Sequence, residues 1–305
     1  MFFTQHKMIS NYRFLNKLFA RLGLFVRLFR YLSELPKPSA SYLLLVISMT
    51  IFFSSCRKVI DVDIKNVAKK YVIEAVITDQ QDSSKVLVST TKNVSENNDF
   101  QGISGASVTV TDNAGIVTTF TEDSAGYYYA RAFKGAMGKT YTLRININGE
   151  AFTAVSAMPQ KVSMDTLYIS DELLFGERRK LSNTAYQDPP GKGNCYRYVQ
   201  YINGKKGKTI FTNNDDYTDA KYVEAKLWYL ADDAQEDQKI KSGDSVTLDM
   251  LCIDPAVYKY WFSLNQSATG NSQSASPANA VTNITGGALG YFSAHTVQRK
   301  KVVAP

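Results

Sequence analysis

The sequence predicts a mainly β fold: an N-terminal antiparallel sandwich of immunoglobulin-like or transthyretin-like type, followed by a second β-rich domain with one helix. Short runs of β-branched and aromatic residues alternate with turn sequences between residues 70 and 160. Asn148-Gly149 separates two alternating runs, which is the strongest short-range signal for a β-hairpin. The second half continues the β pattern and interrupts it once, with a helical pattern near 255–266.

The predicted strands of the first half are rich in Val, Ile, Thr and Tyr, and they end at Asp, Asn, Ser and Gly, the residues that favour turns. In chain order they span residues 70–78, 85–90, 106–111, 117–121, 127–131, 140–147 and 150–155. Met158-Pro159 is the predicted boundary, which gives a sandwich domain over 70–160 and a β-rich domain over 161–305.

In the second half, predicted strands span residues 163–169, 196–202, 209–211, 226–230, 245–251 and 288–297. Asp254 is a candidate N-cap, and Pro255 suits the first helical position. The apolar residues that follow fall on one helical face: Val257, Tyr260, Trp261 and Leu264.

The basic charge of the chain belongs to its leader. Residues 1–55 contain seven basic side chains and one acidic side chain, whereas residues 56–305 contain 28 basic and 27 acidic side chains. A nearly neutral body lacks the surplus of Lys and Arg that phosphates require, so we expect no nucleic-acid partner.

The leader ends in a signal for lipid attachment. Twelve uncharged residues, 42–53, are too few to span a bilayer but suit the apolar region of a signal peptide. The small residues Ser54 and Ser55 stand directly before Cys56, which is the pattern of a bacterial lipobox. We expect cleavage between Ser55 and Cys56, acylation of the Cys56 thiol, and a tether over 56–69. The alternative is an ordinary cleaved signal with an incidental cysteine.

Residues 1–55 thus form a lipoprotein signal peptide with a long basic n-region. Within it, apolar residues recur at helical spacing over 15–32. That pattern fits a membrane-surface helix, a long n-region, or a start codon assigned too early.

Two cysteines remain in the body, Cys195 and Cys252, and they either form a disulfide or pack as small apolar residues. His295 is the single histidine after the leader, so any Cys-His or Ser-His-Asp chemistry would depend on it. We expect no catalytic residues and no cofactor.

An acidic segment places oxygen ligands at positions 1, 3, 7 and 12 of a loop: Asn213, Asp215, Asp219 and Glu224. This spacing suggests calcium, but Thr218 replaces the glycine of position 6 and Tyr217 occupies a ligand position. A solvated loop without metal is therefore the favoured interpretation.

Several segments in a fixed order resemble one known family, the Bacteroidota lipoproteins grouped as domain of unknown function 4249. They are residues 56–63, 71–79, 105–112, 126–128, 138–143, 158–159, 165–168 and 283–294. The resemblance implies an outer-membrane lipoprotein, often encoded beside a TonB-dependent transporter, with no established catalytic residues. Cys195 stands where members tend to have an aromatic residue.

We therefore expect an outer-membrane-anchored accessory lipoprotein that binds a ligand or a TonB-dependent β-barrel transporter in nutrient uptake. The periplasmic or surface face stays open. A structural or adhesion lipoprotein is the alternative, and a hydrolase that uses a carboxylate pair such as Asp215 and Asp219 is a third hypothesis.

Overall fold

A computed structural model describes residues 68–93, 99–174, 176–228, 239–268 and 279–305. These residues belong to one compact unit, residues 65–305. Among these residues, the predicted mainly β, sandwich-like fold with one helix is confirmed. In the described part of the chain, no helix has the length and apolarity needed to span a membrane.

The strands of the first half are β1 (Tyr71–Thr78), β2 (Lys85–Thr90), β3 (Ser107–Asp112), β4 (Val117–Ser124), β5 (Tyr127–Tyr129), β6 (Thr140–Ile147) and β7 (Glu150–Ala157). The elements of the second half are β8 (Thr166–Leu174), β9 (Glu177–Gln187), β10 (Cys195–Ile202), β11 (Lys205–Lys206), β12 (Phe211–Asn214), β13 (Tyr222–Leu227), β14 (Ser245–Ile253), α1 (Pro255–Ala268), β15 (Ile284–Thr285) and β16 (Leu289–Val303).

Two sheets contain these strands. The larger has 13 described strands in the order β11-β10-β14-β16-β1-β2-β5-β4-β3-β6-β7-β15, and β12 also pairs with β10. The smaller has the order β13-β9-β8. Strands from both predicted domains therefore share hydrogen bonds in the larger sheet.

The β1 and β16 strands pair in parallel, so the larger sheet is mixed rather than wholly antiparallel. Ile73 lies opposite Gly290 in this pair. Gly290 has a φ of +101°, and a Cβ atom there would lie 1.9 Å from the carbonyl oxygen of Ile73. Only glycine allows the two backbones to approach this closely.

The predicted hairpin at Asn148-Gly149 is confirmed between β6 and β7. Both residues have positive φ, 48° and 82°, which is the requirement of a two-residue type I′ turn. Asn203 and Gly204 repeat this geometry between β10 and β11, with φ of 50° and 80°.

The helix α1 begins as the sequence predicts. Asp254 Oδ1 accepts hydrogen bonds from the amides of Ala256 at 2.9 Å and Val257 at 3.0 Å, which satisfies two free donors of the first turn. Ser156, at the end of β7, donates to the other oxygen of Asp254. The start of α1 is therefore fixed to a strand of the first half.

Apolar side chains form separate clusters within the unit. The largest joins the inward-facing residues of β1–β7 with Ile284, Ala288, Phe292 and Ala294 from near the chain end. A second cluster joins β8–β10, β13 and β14, and it includes three fully buried tyrosines: Tyr186, Tyr196 and Tyr198. All of these clusters lie within one compact unit. The domain boundary at 160/161 stays a prediction.

Candidate functional site

The smaller sheet exposes aromatic side chains on one of its faces. Tyr168 on β8 is 38% exposed, and Tyr222 on β13 is 56% exposed. They lie opposite Asn183 and Gln187 of β9, and since these residues are four positions apart on one strand, both tyrosines project from the same face. Trp228, 54% exposed, follows directly after β13. We call this surface the aromatic face.

An ion pair crosses the aromatic face. Lys226 donates to Glu172 at 2.7 Å, and Ser170 donates to the same oxygen at 3.0 Å. The hydrogen bond from Lys226 lowers the pKa of Glu172, with a smaller contribution from Ser170. The carboxylate therefore stays charged, and the face combines apolar rings with a fixed polar group.

The opposite face of the smaller sheet is buried. Leu167, Tyr186 and Val223 point from β8, β9 and β13 into the second apolar cluster. This packing fixes the sheet to the rest of the unit, so Tyr168 and Tyr222 are presented by supported strands and not by loops.

A half-buried cation lies where α1 covers the larger sheet. The guanidinium carbon of Arg197, on β10, is 3.3 Å from the centroid of the Trp261 ring. Trp261 contacts Tyr260 and Tyr291, with ring centroids 5.3 and 4.9 Å away. Burial lowers the pKa of Arg197, and Tyr291 opposes this shift. A desolvated cation–π contact stabilises by about 2 kcal/mol, so the pair helps hold α1 on the sheet.

The structure brings together only part of the predicted calcium set. Asp215 and Asp219 lie close together, but Glu224 is exposed on β13 and outside this group. Asn213 donates to the hydroxyl group of Tyr186, 3.4 Å away. Since Asn213 lies in β12 and Glu224 in β13, the structure does not bring the four residues of this weak calcium candidate together.

A third carboxylate, that of Asp188, lies beside Asp215 and Asp219. One oxygen from each of Asp188, Asp215 and Asp219 lies within 4.8 Å of the others. Asp188 follows β9 at the start of the Asp-Pro-Pro-Gly segment, 27 residues before Asp215. Sequence spacing cannot show this neighbour, since the backbone pairing of Asp188 with Lys221 creates the contact.

The two cysteines do not form the disulfide considered above; both are free and buried. Cys195 lies opposite Ile253, and Cys252 lies opposite Tyr196, in the β10–β14 pair. Since neighbouring residues of a strand point to opposite faces, the two thiols project from opposite sides of the sheet. Burial raises the pKa of Cys195 to about 12 and also raises that of Cys252, which suppresses the reactive thiolate.

His295 is buried, at 6% exposure, and its Nδ1 atom lies 2.8 Å from the hydroxyl oxygen of Ser293. In a hydrolytic triad the serine bonds to Nε2, and Nδ1 faces a carboxylate. Ser293 is itself 2% exposed. Burial, and then the charge of Arg197, lower the pKa of His295 to about 4, so the ring is neutral at pH 7. This pair does not have the geometry of a hydrolytic triad.

The predicted signal peptide, Ser55 and Cys56 lie outside the described residues, and the tether over 56–69 is described only at its end. Their assignment stays a prediction.

The chain matches the family described as Domain of unknown function (DUF4249) over residues 57–301. No curated protein matches it significantly. The chain belongs to the DUF4249 family.

Proposed function

We propose that this DUF4249 member is an outer-membrane-anchored accessory lipoprotein that binds a partner through the aromatic face. The partner is a TonB-dependent β-barrel transporter, or a ligand that such a transporter takes up. The protein acts by binding and without catalysis.

The anchor rests on the sequence around Cys56. Several acyl chains on one cysteine hold a protein on a membrane without a spanning segment, since each buried CH₂ contributes about 0.8 kcal/mol. The first strand begins at Tyr71, so the predicted tether over 56–69 would join the lipid to the folded unit.

The aromatic face is the observation that supports partner binding. Tyr and Trp are enriched in protein interfaces because they bury large areas and lose little side-chain entropy. Tyr168 and Tyr222 on this face, and Trp228 directly after β13, are all more than one third exposed, so a partner could bury further area on each ring. The Glu172–Lys226 ion pair beside them can supply the polar contacts that orient a partner.

A role without catalysis is supported by the state of the reactive groups. Among the described residues, the two thiols and the histidine are buried, and the pKa shifts disfavour their charged forms. Such groups serve packing better than nucleophilic or acid–base chemistry.

The test is a pull-down of the tagged full-length protein from native outer membranes in mild detergent. We expect the wild type to recover one β-barrel transporter in stoichiometric amount, and Cys56→Ala to be soluble and alone. A Tyr168→Ser/Tyr222→Ser variant should stay in the membrane and lose the barrel. The matched control is Ile116→Ser/Val117→Ser, which removes two residues that are 61% and 60% exposed in the first half.

Two results would contradict the proposal in different places. If Cys56→Ala stays in the membrane, the lipobox interpretation is wrong. If the lipidated protein is recovered without a barrel, a structural or adhesion lipoprotein replaces the accessory role.

A further inference from the structure

Three carboxylates meet where two loops of the second half come together. Asp188 begins the loop from β9 to β10, and Asp215 and Asp219 lie in the loop from β12 to β13. The amide of Asp188 donates to the carbonyl oxygen of Lys221 at 2.9 Å, which joins the two loops. No Lys or Arg in the described part of the chain forms an ion pair with any of the three carboxylates.

Two of the carboxylates accept hydrogen bonds from backbone amides of the loop from β9 to β10. Asp215 accepts from the amides of Gly193 at 3.0 Å and Asn194 at 2.9 Å, and Asp219 accepts from Gly191 at 2.8 Å. Burial alone would raise the pKa of Asp215, but these hydrogen bonds outweigh it and lower the pKa. The loop from β9 to β10 thus fixes the positions of two carboxylates.

The side chain of Asp188 provides independent evidence for a ligand at this cluster. Its side chain is completely buried, and while Oδ1 accepts a hydrogen bond from the Tyr196 hydroxyl, Oδ2 has no partner. Burial raises the pKa of Asp188, and the charges of Asp215 and Asp219 add to this rise. The hydrogen bond from Tyr196 and the nearby backbone amide of Ala220 oppose it. A buried carboxylate oxygen without a partner is costly, and a bound cation would remove that cost.

We propose that Asp188, Asp215 and Asp219 bind a calcium ion. Ca²⁺ prefers oxygen ligands at about 2.3–2.6 Å in a flexible geometry, so carboxylate oxygens within 4.8 Å of one another can share one such ion. Mg²⁺ demands a stricter octahedron at about 2.1 Å and keeps more of its water, so a set of three carboxylates favours Ca²⁺. Water and backbone carbonyl groups would complete the calcium shell.

The ion would join the two loops directly beside Tyr222 on the aromatic face. Lys221, whose carbonyl oxygen accepts from Asp188, is the neighbour of Tyr222 in the chain. Binding should therefore order the end of the smaller sheet, in addition to neutralising the cluster.

The test uses the purified full-length protein in detergent, freed of metal with EDTA. Calorimetric titration with Ca²⁺ should show one saturable site per chain, and Tb³⁺ bound there should luminesce on excitation of tyrosine, because Tyr196 contacts Asp188. Ca²⁺ should raise the melting temperature, and Mg²⁺ at the same concentration should raise it less.

Asp188→Asn should weaken Ca²⁺ binding at least tenfold, since loss of even an outer-shell partner costs about 10- to 100-fold. Asp219→Asn should do the same, and its half-buried position makes misfolding a poor explanation of the loss. The matched control is Asp216→Asn, which removes the same charge from an exposed neighbour that lies outside the cluster.

The proposal is overturned if Ca²⁺ binds without saturation, or if Asp188→Asn and Asp216→Asn change the affinity equally. It is also overturned if the wild type shows no calcium-dependent melting temperature and Asp188→Asn melts higher than the wild type. That last result would mean that Asp188 is simply a protonated, repelled carboxyl group. Loss of the transporter partner in the pull-down would leave all of these calcium measurements unaffected.

Discussion

The first half of the molecule, β1–β7, and the second half, β8–β16 with α1, are built from similar strands but bury different groups. In the first half, the buried polar side chains have hydrogen-bond partners; Ser84 and Ser156 are examples. The buried polar atoms that lack a partner all belong to described residues after position 160: Arg179, Asp188, Arg197 and Thr296. Buried groups of this kind cost stability, so they indicate ligand sites or specific contacts. This difference supports the proposal that the second half carries the binding site.

The largest expected effect tests how far the first half depends on the chain end. Phe292 on β16 is fully buried in the cluster of β1–β7. Phe292→Ala should lower the free energy of unfolding by about 3–5 kcal/mol, because it removes a large apolar group and leaves a cavity. Urea denaturation measures this change. The control, Val155→Ala, alters a residue that is 54% exposed on β7 and should change the value by less than about 0.5 kcal/mol. A loss below about 1 kcal/mol for Phe292→Ala would mean that β16 does not complete this core.

The second prediction concerns pH. Since burial lowers the pKa of His295 from 6.5 to about 4, the folded protein binds fewer protons than the unfolded chain between these values. Stability is therefore complete above pH 6.5 and is lost as the pH falls toward 4, by up to about 3 kcal/mol. Denaturation at several pH values should show that His295→Asn does not lose this stability between pH 6.5 and 4. The effects of the carboxylates on stability are the same in both proteins and cancel in the comparison. Equal slopes for the two proteins would show that His295 is not buried in neutral form.

The next prediction compares the stability contributions of Arg197, a half-buried cation of the second half, and Arg131, an exposed cation of the first half. Arg197→Lys should cost about 2 kcal/mol, because a compact ammonium group cannot stack on Trp261 as a planar guanidinium does. The matched variant, Arg131→Lys, alters a side chain that is 80% exposed and paired with Asp123, and it should cost less than about 0.5 kcal/mol. Thermal unfolding compares the two. Equal costs would remove the distinction between the halves at this position.

The smallest effect concerns the buried tyrosines. The Tyr198 hydroxyl donates to Tyr186 at 2.9 Å inside the second cluster. Tyr198→Phe should cost about 1 kcal/mol, the usual contribution of a hydrogen bond, whereas Tyr168→Phe on the aromatic face should be nearly neutral. Urea denaturation of both variants measures the difference. If Tyr198→Phe is neutral or stabilising, the hydroxyl pair contributes nothing to the core.

Local features were predictable from the sequence. The β-branched runs, the Asn148-Gly149 turn and the Asp254 cap act over a few residues, and each is found as expected. These signals depend on neighbours in the chain, whose chemistry the sequence gives directly.

Features that depend on distant pairing were not predictable. The parallel pair of β1 and β16 joins residues more than 200 positions apart. The need for glycine at position 290 becomes visible only when Ile73 lies opposite it. The register of β10 and β14 places Cys195 and Cys252 on opposite faces of the sheet. The contact between two loops brings Asp188 close to Asp215 and Asp219. The alternating pattern of a strand does not identify its partner.

The most direct test of the account is site-specific photo-crosslinking in native outer membranes. A photoreactive phenylalanine analogue replaces Tyr222 on the aromatic face or, as the comparison, Val117 in the first half, which is 60% exposed. We predict that position 222 crosslinks to one β-barrel transporter, identified by mass spectrometry, and that position 117 does not. Crosslinking of the barrel at 117 alone, at both positions equally, or at neither would contradict the proposal that the second half carries the binding surface.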